Sequence, residues 1–161
     1  MPAPLPTPDL QPPPAAAAAA RPGELAALLA FCRAHGAPCF VHWPDNILAE
    51  YLCFHARHGS LATVRAFNPQ LSTLNFIGLA VGWQCHETEL ERHWYVTNPA
   101  GDAFYFAHCI ATEPRAVAAL IEEWKRRIPA WPLLKLYARR GAKGLTRYPH
   151  RLLQRLYERA L

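Results

Sequence analysis

Among the short stretches of this chain that combine an imidazole with a thiol, three are weighed for chemistry: Cys39-x-x-His42, Cys85-His86 and His108-Cys109. Histidine is the side chain whose ordinary pKa lies near neutrality, so each stretch offers a general base or a metal ligand. Of the three, Cys39 and His42 alone have zinc-ligand spacing. Neighbouring residues of a strand point to opposite faces, so the other two pairs chelate poorly, and no metal site is predicted. The same divergence makes Cys85-His86 a poor thiolate–imidazole pair. His108 lies in mid-run between Ala103 and Ala111 and is the foremost candidate base, with His42, in a loop ahead of Trp43-Pro44, as a candidate assistant. The alternative readings are a core histidine satisfied by aromatic neighbours for His108 and a plain surface residue for His42.

The elements that must position these groups follow from periodicity. Leu25, Leu28, Leu29 and Cys32 recur at helical spacing and Gly36 supplies a stop. A second helix is predicted after Pro44, with Asp45 as N-cap, burying Ile47, Leu48, Tyr51 and Leu52 and ending at His58-Gly59. The period then shortens. Ser60–Phe67 and Leu74–Cys85 read as strands around the Asn68-Pro69 turn, with a bulge expected at Gly78 or Gly82. His86–Arg92 reads as a surface loop. Trp94–Thr97 and Ala103–Ala111 flank Asn98–Asp102 and predict a hairpin. Thr112 is placed to cap a helix that has Pro114 in its first turn and Val117, Leu120, Ile121, Trp124 and Ile128 along one face. Pro129 and Pro132 stop it, and Leu133–Arg139 reads as the next strand. Strand, helix and strand in this order predict a parallel βαβ unit. A last helix, Pro149–Ala160, is predicted to bury Leu152, Leu153, Leu156 and Tyr157 and to expose Arg151, Arg155 and Arg159. The fold class is therefore α/β, a mixed sheet flanked by helices.

Residues 1–22 hold eight of the 16 prolines and the Ala15–Ala20 run, so they read as a disordered tail, leaving residues 23–161 as one domain. The longest apolar run, Leu74–Cys85, is too short to span a membrane. No secretory signal is evident, and five cysteines without C-x-x-C spacing read as buried free thiols, so a cytoplasmic location is expected. The net charge of +5 is unevenly spread. Residues 115–161 carry 12 of the 17 lysines and arginines but three of the 12 acids, a local +9 against −4 elsewhere. Such a segment calls for an anionic partner, and nucleic acid held through residues 125–159 is one class that fits.

The order of elements resembles the GNAT-type N-acyltransferases over roughly residues 23–161. In that family two parallel strands splay apart, the acyl-CoA thioester enters the gap, and the pyrophosphate rests on the N-terminus of the intervening helix. The resemblance implies Ala103–Ala111 and Leu133–Arg139 as those strands and Thr112–Ile128 as that helix. Thr112 and Arg115 at its start, and Arg139, Arg140 and Lys143 after the second strand, would then meet the phosphates. The family's glycine-rich loop is absent: Ala111-Thr112-Glu113-Pro114-Arg115 contains no glycine. The layout is similar to the RTX-toxin-activating lysine acyltransferases, a branch without that loop, which use acyl carrier protein as donor. Phe106-Ala107-His108-Cys109-Ile110-Ala111-Thr112, Arg126-Arg127-Ile128-Pro129 and Gly141-Ala142-Lys143-Gly144 match that branch in order and spacing. Its catalytic aspartate falls on His108, and its catalytic histidine, three residues before a Trp-Pro, falls on Phe40. The resemblance implies acyl transfer from acyl-CoA or acyl carrier protein to an amine, either a small molecule or a protein lysine. A non-catalytic binding module with a basic face is the other reading.

Overall fold

A computed structural model describes residues 22–36 and 39–160, so the predicted tail lies outside the described residues, apart from Pro22 at its end. Helix α1, Pro22–His35, ends where the Gly36 amide donates to the Cys32 carbonyl at 2.7 Å. Helix α2 spans Asp45–Arg57. Its N-cap is Pro44 and not Asp45, whose carboxylate instead pairs with Arg33 at 2.5 Å. Strands β1 (Leu61–Asn68), β2 (Thr73–Cys85) and β3 (Ala103–Ala111) follow. Helix α3 (Pro114–Arg127) then leads to β4 (Lys135–Arg139), β5 (Leu145–Tyr148) and α4 (His150–Ala160).

The five strands form one sheet in chain order. The β3–β4 pair is parallel and every other pair is antiparallel, so the mixed α/β architecture and its βαβ unit stand as the sequence predicts. Helices α1 and α2 cover one face, over a core of Leu48, Tyr51, Leu79, Val81, Trp83 and Tyr105. Helix α3 covers the other, over Ala80, Phe104, Leu120, Trp124, Trp131 and Leu136. Among the described residues no helix is long and apolar enough to cross a membrane.

Four local expectations are corrected. Trp94–Thr97 is not a strand. The Gln84 carbonyl accepts from Asn98 N–H, its backbone N–H donates to the Thr97 hydroxyl oxygen, and its side-chain amide donates to the carbonyls of Pro99 and Gly101 at 3.1 and 2.8 Å. One buried glutamine thus fixes the loop that a hairpin ladder would otherwise have held. The second parallel strand begins at Lys135, because Trp131–Leu133 forms a 3-10 turn seeded by Pro132. Leu145–Tyr148, too short and polar to announce itself, is a fifth strand beside β4. Finally, α4 does not bury its apolar face: Leu152, Leu153 and Tyr157 are half-buried and Leu156 is 42% exposed.

Gly101 is required by close approach. A Cβ there would lie 2.3 Å from the Cys85 carbonyl oxygen and 2.8 Å from its Cα, both backbone atoms that cannot swing aside. Gly101→Ala should cost ~2–3 kcal/mol, at the upper end of overpacking penalties, read as a lowered urea midpoint at constant m-value. An unchanged midpoint would contradict this packing.

Candidate functional site

The aim of His108 depends on a bulge. In β3, Ala103 and Tyr105 face the α1/α2 layer and Phe104 faces the α3 layer. Strict alternation would send His108 after Phe104. The β2–β3 register instead shifts between Val81↔His108 and Gly82↔Phe106, leaving Ala107 as an extra residue. A one-residue slip moves every later side chain to the opposite face. His108 and Ile110 therefore turn toward α1 and α2, while Cys109 faces away and is exposed. A second shift, at Val64/Arg65, leaves Ile77 extra beside Gly78, so both glycines singled out in the sequence border a bulge.

His108 enters an aromatic enclosure. Its ring centroid lies 4.5 Å from Phe40, 5.5 Å from Tyr51 and 5.9 Å from Trp43. Phe40 and Trp43 come from the loop before α2, which Arg33 clamps. The guanidinium donates to the Phe40 carbonyl at 2.7 Å, to the Trp43 carbonyl and to Asp45. Tyr51, from α2, is fully buried, and its Oη lies 2.9 Å from His108 Nδ1.

That contact sets the tautomer. If Nδ1–H donated to Tyr51, the buried phenolic proton would be left without an acceptor, a cost of about 1–3 kcal/mol. Tyr51 therefore donates and Nε2 carries the imidazole hydrogen. The indole nitrogens of Trp83, Trp94 and Trp124 are the buried side-chain polar atoms without a partner among the described residues, and His108 Nε2 is not one of them. The residue as a whole is half-buried. Burial, reinforced by the neighbouring His93 and His55, lowers the His108 pKa to about 3. Burial likewise raises that of the Tyr51 phenol well above its ordinary value. Near neutral pH the pair is thus uncharged, and the imidazole keeps its hydrogen on Nε2. That is a weak base and a competent hydrogen-bond donor, the arrangement used where a neutral imidazole polarises a carbonyl.

His42 is exposed in the Cys39–Trp43 turn and makes no hydrogen bond among the described residues, so it does not join His108. A histidine the sequence reading passed over, His55, is fully buried and stacked on Trp83 with centroids 5.1 Å apart. Its Nε2–H donates to the His93 carbonyl at 2.8 Å and its Nδ1 lies 2.7 Å from Ser60 Oγ. Ser60 is as buried as His55, so this Ser–His contact serves the core. Its one sequence signal is the five-residue spacing across a helix end. Among the described residues, no three His, Cys, Asp or Glu side chains converge on a metal position. Cys32, Cys53 and Cys85 are buried outside any disulfide, whereas Cys39 and Cys109 are exposed, a correction to the expectation of five buried ones.

Parallel strands end on the same side, so the start of α3 after β3 and the Arg140–Gly144 turn after β4 share the carboxyl edge of the sheet. All five residues expected to meet phosphate are at this edge, but their charges are not equally available. Thr112 does not cap α3; its hydroxyl and amide both donate to the Ile77 carbonyl, and Glu113 is the N-cap. Arg115 is paired with Glu113, which sets a carboxylate at the helix N-terminus. Arg139 pairs with Glu91 at 2.6 Å. Arg140 and Lys143 make no ion pair among the described residues. Neither do Arg147, Arg151, Arg155 and Arg159, whereas Lys125, Arg126, Arg127 and Lys135 are paired with Glu122, Glu123, Glu123 and Glu87.

Two cavities stand out, both away from His108. One, about 570 Å³, is a groove between the end of α3 and α4, lined by Ile128, Trp131, Pro132 and Leu153 with Lys125 and Arg151 at its rim. The other, about 140 Å³, lies between Gln84, Pro99 and Arg127. No family model, no curated protein and no solved structure matches this chain.

Proposed function

We propose that this chain transfers an acyl group from a thioester carrier, acyl-CoA or acyl carrier protein, to an amine. The observation that carries the proposal is where the parallel ladder ends and β3 runs on past β4. Pairing of β3 with β4 ends at Phe106↔Ala138, directly before the Ala107 bulge that re-aims His108. Beyond that point β4 has one more residue, Arg139, while β3 runs on to Ala111, so its far end has no β4 partner at the place where GNAT-type enzymes admit their thioester. A second contact supports the likeness to the RTX-toxin-activating branch. Phe40 and His108, the two positions that correspond to its catalytic pair, lie 68 residues apart in sequence and have rings 4.5 Å apart.

The chemistry then assigns His108 as a donor and not as the base expected from sequence. The amine nitrogen attacks the thioester carbonyl carbon, and Nε2–H of His108 stabilises the oxygen on which negative charge collects. The C–N bond forms and the C–S bond breaks. The sulfur leaves as thiol with the proton that the amine gives up. Tyr51 is a positioning residue, holding Nδ1 as acceptor so that Nε2 keeps its hydrogen. Of the predicted phosphate contacts, Arg140 and Lys143 are the pair free to meet the carrier.

Arg140, Lys143, Arg147, Arg151, Arg155 and Arg159, which make no ion pair among the described residues, favour a second reading, a non-catalytic module that grips nucleic acid or another polyanion. Thermal melts separate the two. The enzyme reading expects acyl-CoA or acyl carrier protein loaded with an acyl chain to raise Tm by several degrees beyond the unacylated carrier, since a ligand of the native state stabilises it by mass action. No thioester-dependent shift, with duplex DNA stabilising the chain steeply at low salt, would favour the module instead.

A further inference from the structure

We infer that α4 is a docking helix for the surface of an anionic lipid bilayer. On a helical projection Arg151, Arg155 and Arg159 form one stripe, and Leu152 and Leu156 lie directly beside it. The far side of the apolar arc is used internally: Leu153 packs on the α3-side core, and Lys125 stands 5.3 Å over the Tyr157 ring. The near side is only partly covered: Leu152 is half-buried and Leu156 is 42% exposed. Leu133, 86% exposed, lies in the turn joined to the start of the helix, where His150 Nε2–H donates to the adjoining Leu134 carbonyl at 2.8 Å.

The occupant follows from the mixture of chemistries. The arginine stripe has no ion pair among the described residues, and the sole acid of α4, Glu158, accepts from Gln154 at 3.2 Å on the opposite flank. A polyanion such as duplex DNA would use the arginines and gain nothing from exposed leucines beside them. A bilayer uses both, because anionic headgroups meet the guanidinium groups while the leucines enter the acyl boundary. A protein groove that took the leucines would not call for three uncompensated cations along the same edge. The inference is independent of His108 and stands or falls apart from acyl transfer.

The test is vesicle flotation of the full chain with phosphatidylcholine vesicles, with and without phosphatidylserine, at low and high salt. Binding to the phosphatidylserine vesicles is expected, weakened by salt and absent with phosphatidylcholine alone. Removing all three charges by R151A, R155A and R159A should weaken it roughly 10²-fold, at the usual contribution per surface cation. Leu156→Ser, at an exposed position that leaves folding intact, should weaken vesicle binding severalfold while leaving duplex DNA binding unchanged. No binding to phosphatidylserine vesicles at low salt would overturn the inference. So would binding that is lost with the arginines but indifferent to Leu156→Ser, since that marks a phosphate contact without insertion.

Discussion

His108→Ala is expected to slow amine acylation about 10²–10³-fold, the usual cost of removing one donor from the oxygen that becomes negative. The loss should fall on kcat, because the bond to the oxygen is made mainly in the transition state. A glutamine at this position distinguishes donor from base: it offers an N–H but cannot take a proton near neutrality. His108→Gln should therefore keep a clear excess of activity over His108→Ala. Equal loss in both variants would return His108 to the role of base. Wild-type rates should also show no inflection at the ordinary histidine pKa arising from His108, whose own value is lowered to about 3.

Acidification should destabilise the fold steeply. Burial lowers the His55 pKa to about 3 from its ordinary 6.5, and both ring nitrogens are already committed to Ser60 and the His93 carbonyl. Between those two values the unfolded chain binds a proton that the folded chain refuses, so stability is complete above about pH 6.5 and falls as pH falls toward 3. For His55 alone the loss is about 2 kcal/mol at pH 5, at 1.36 kcal/mol for each unit below the unfolded value. His108, whose pKa burial likewise lowers to about 3, adds to it in the same direction. Urea melts at pH 7 and pH 5 read this directly. In His55→Gln, which has no proton to take up, the difference between the two should shrink by that amount. An unaltered difference would show that His55 is not the acid-sensitive group.

Much of this architecture was legible in the chain because apolar spacing and breakers agree. The α3 face of Leu120, Ile121 and Trp124, ended by Pro129 and Pro132, lies where its periodicity puts it. The Ala103–Ala111 strand and its parallel partner followed from the same alternation. What escaped notice depended on partners distant in sequence. Nothing local marks Ala107 as the extra residue; its cue, Gly82, is on the neighbouring strand, where a Cβ would meet the Phe104 ring at 2.7 Å. Tyr51 reaches His108 across 57 residues, so the hydrogen bond on which the proposed donor role rests was invisible along the chain. The charge count likewise overstated the free cations, because Glu113, Glu123, Glu87 and Glu91 neutralise their neighbours only once the chain is folded.

Acyl transfer itself is tested most directly by mass balance. The chain is incubated with acyl-CoA or acylated carrier protein and an amine acceptor such as a lysine peptide, and freed thiol and acylated amine are both quantified. Equal amounts of the two, rising together with time and falling together in His108→Ala, are the predicted result. Thiol and amide no higher than in the protein-free control would contradict it.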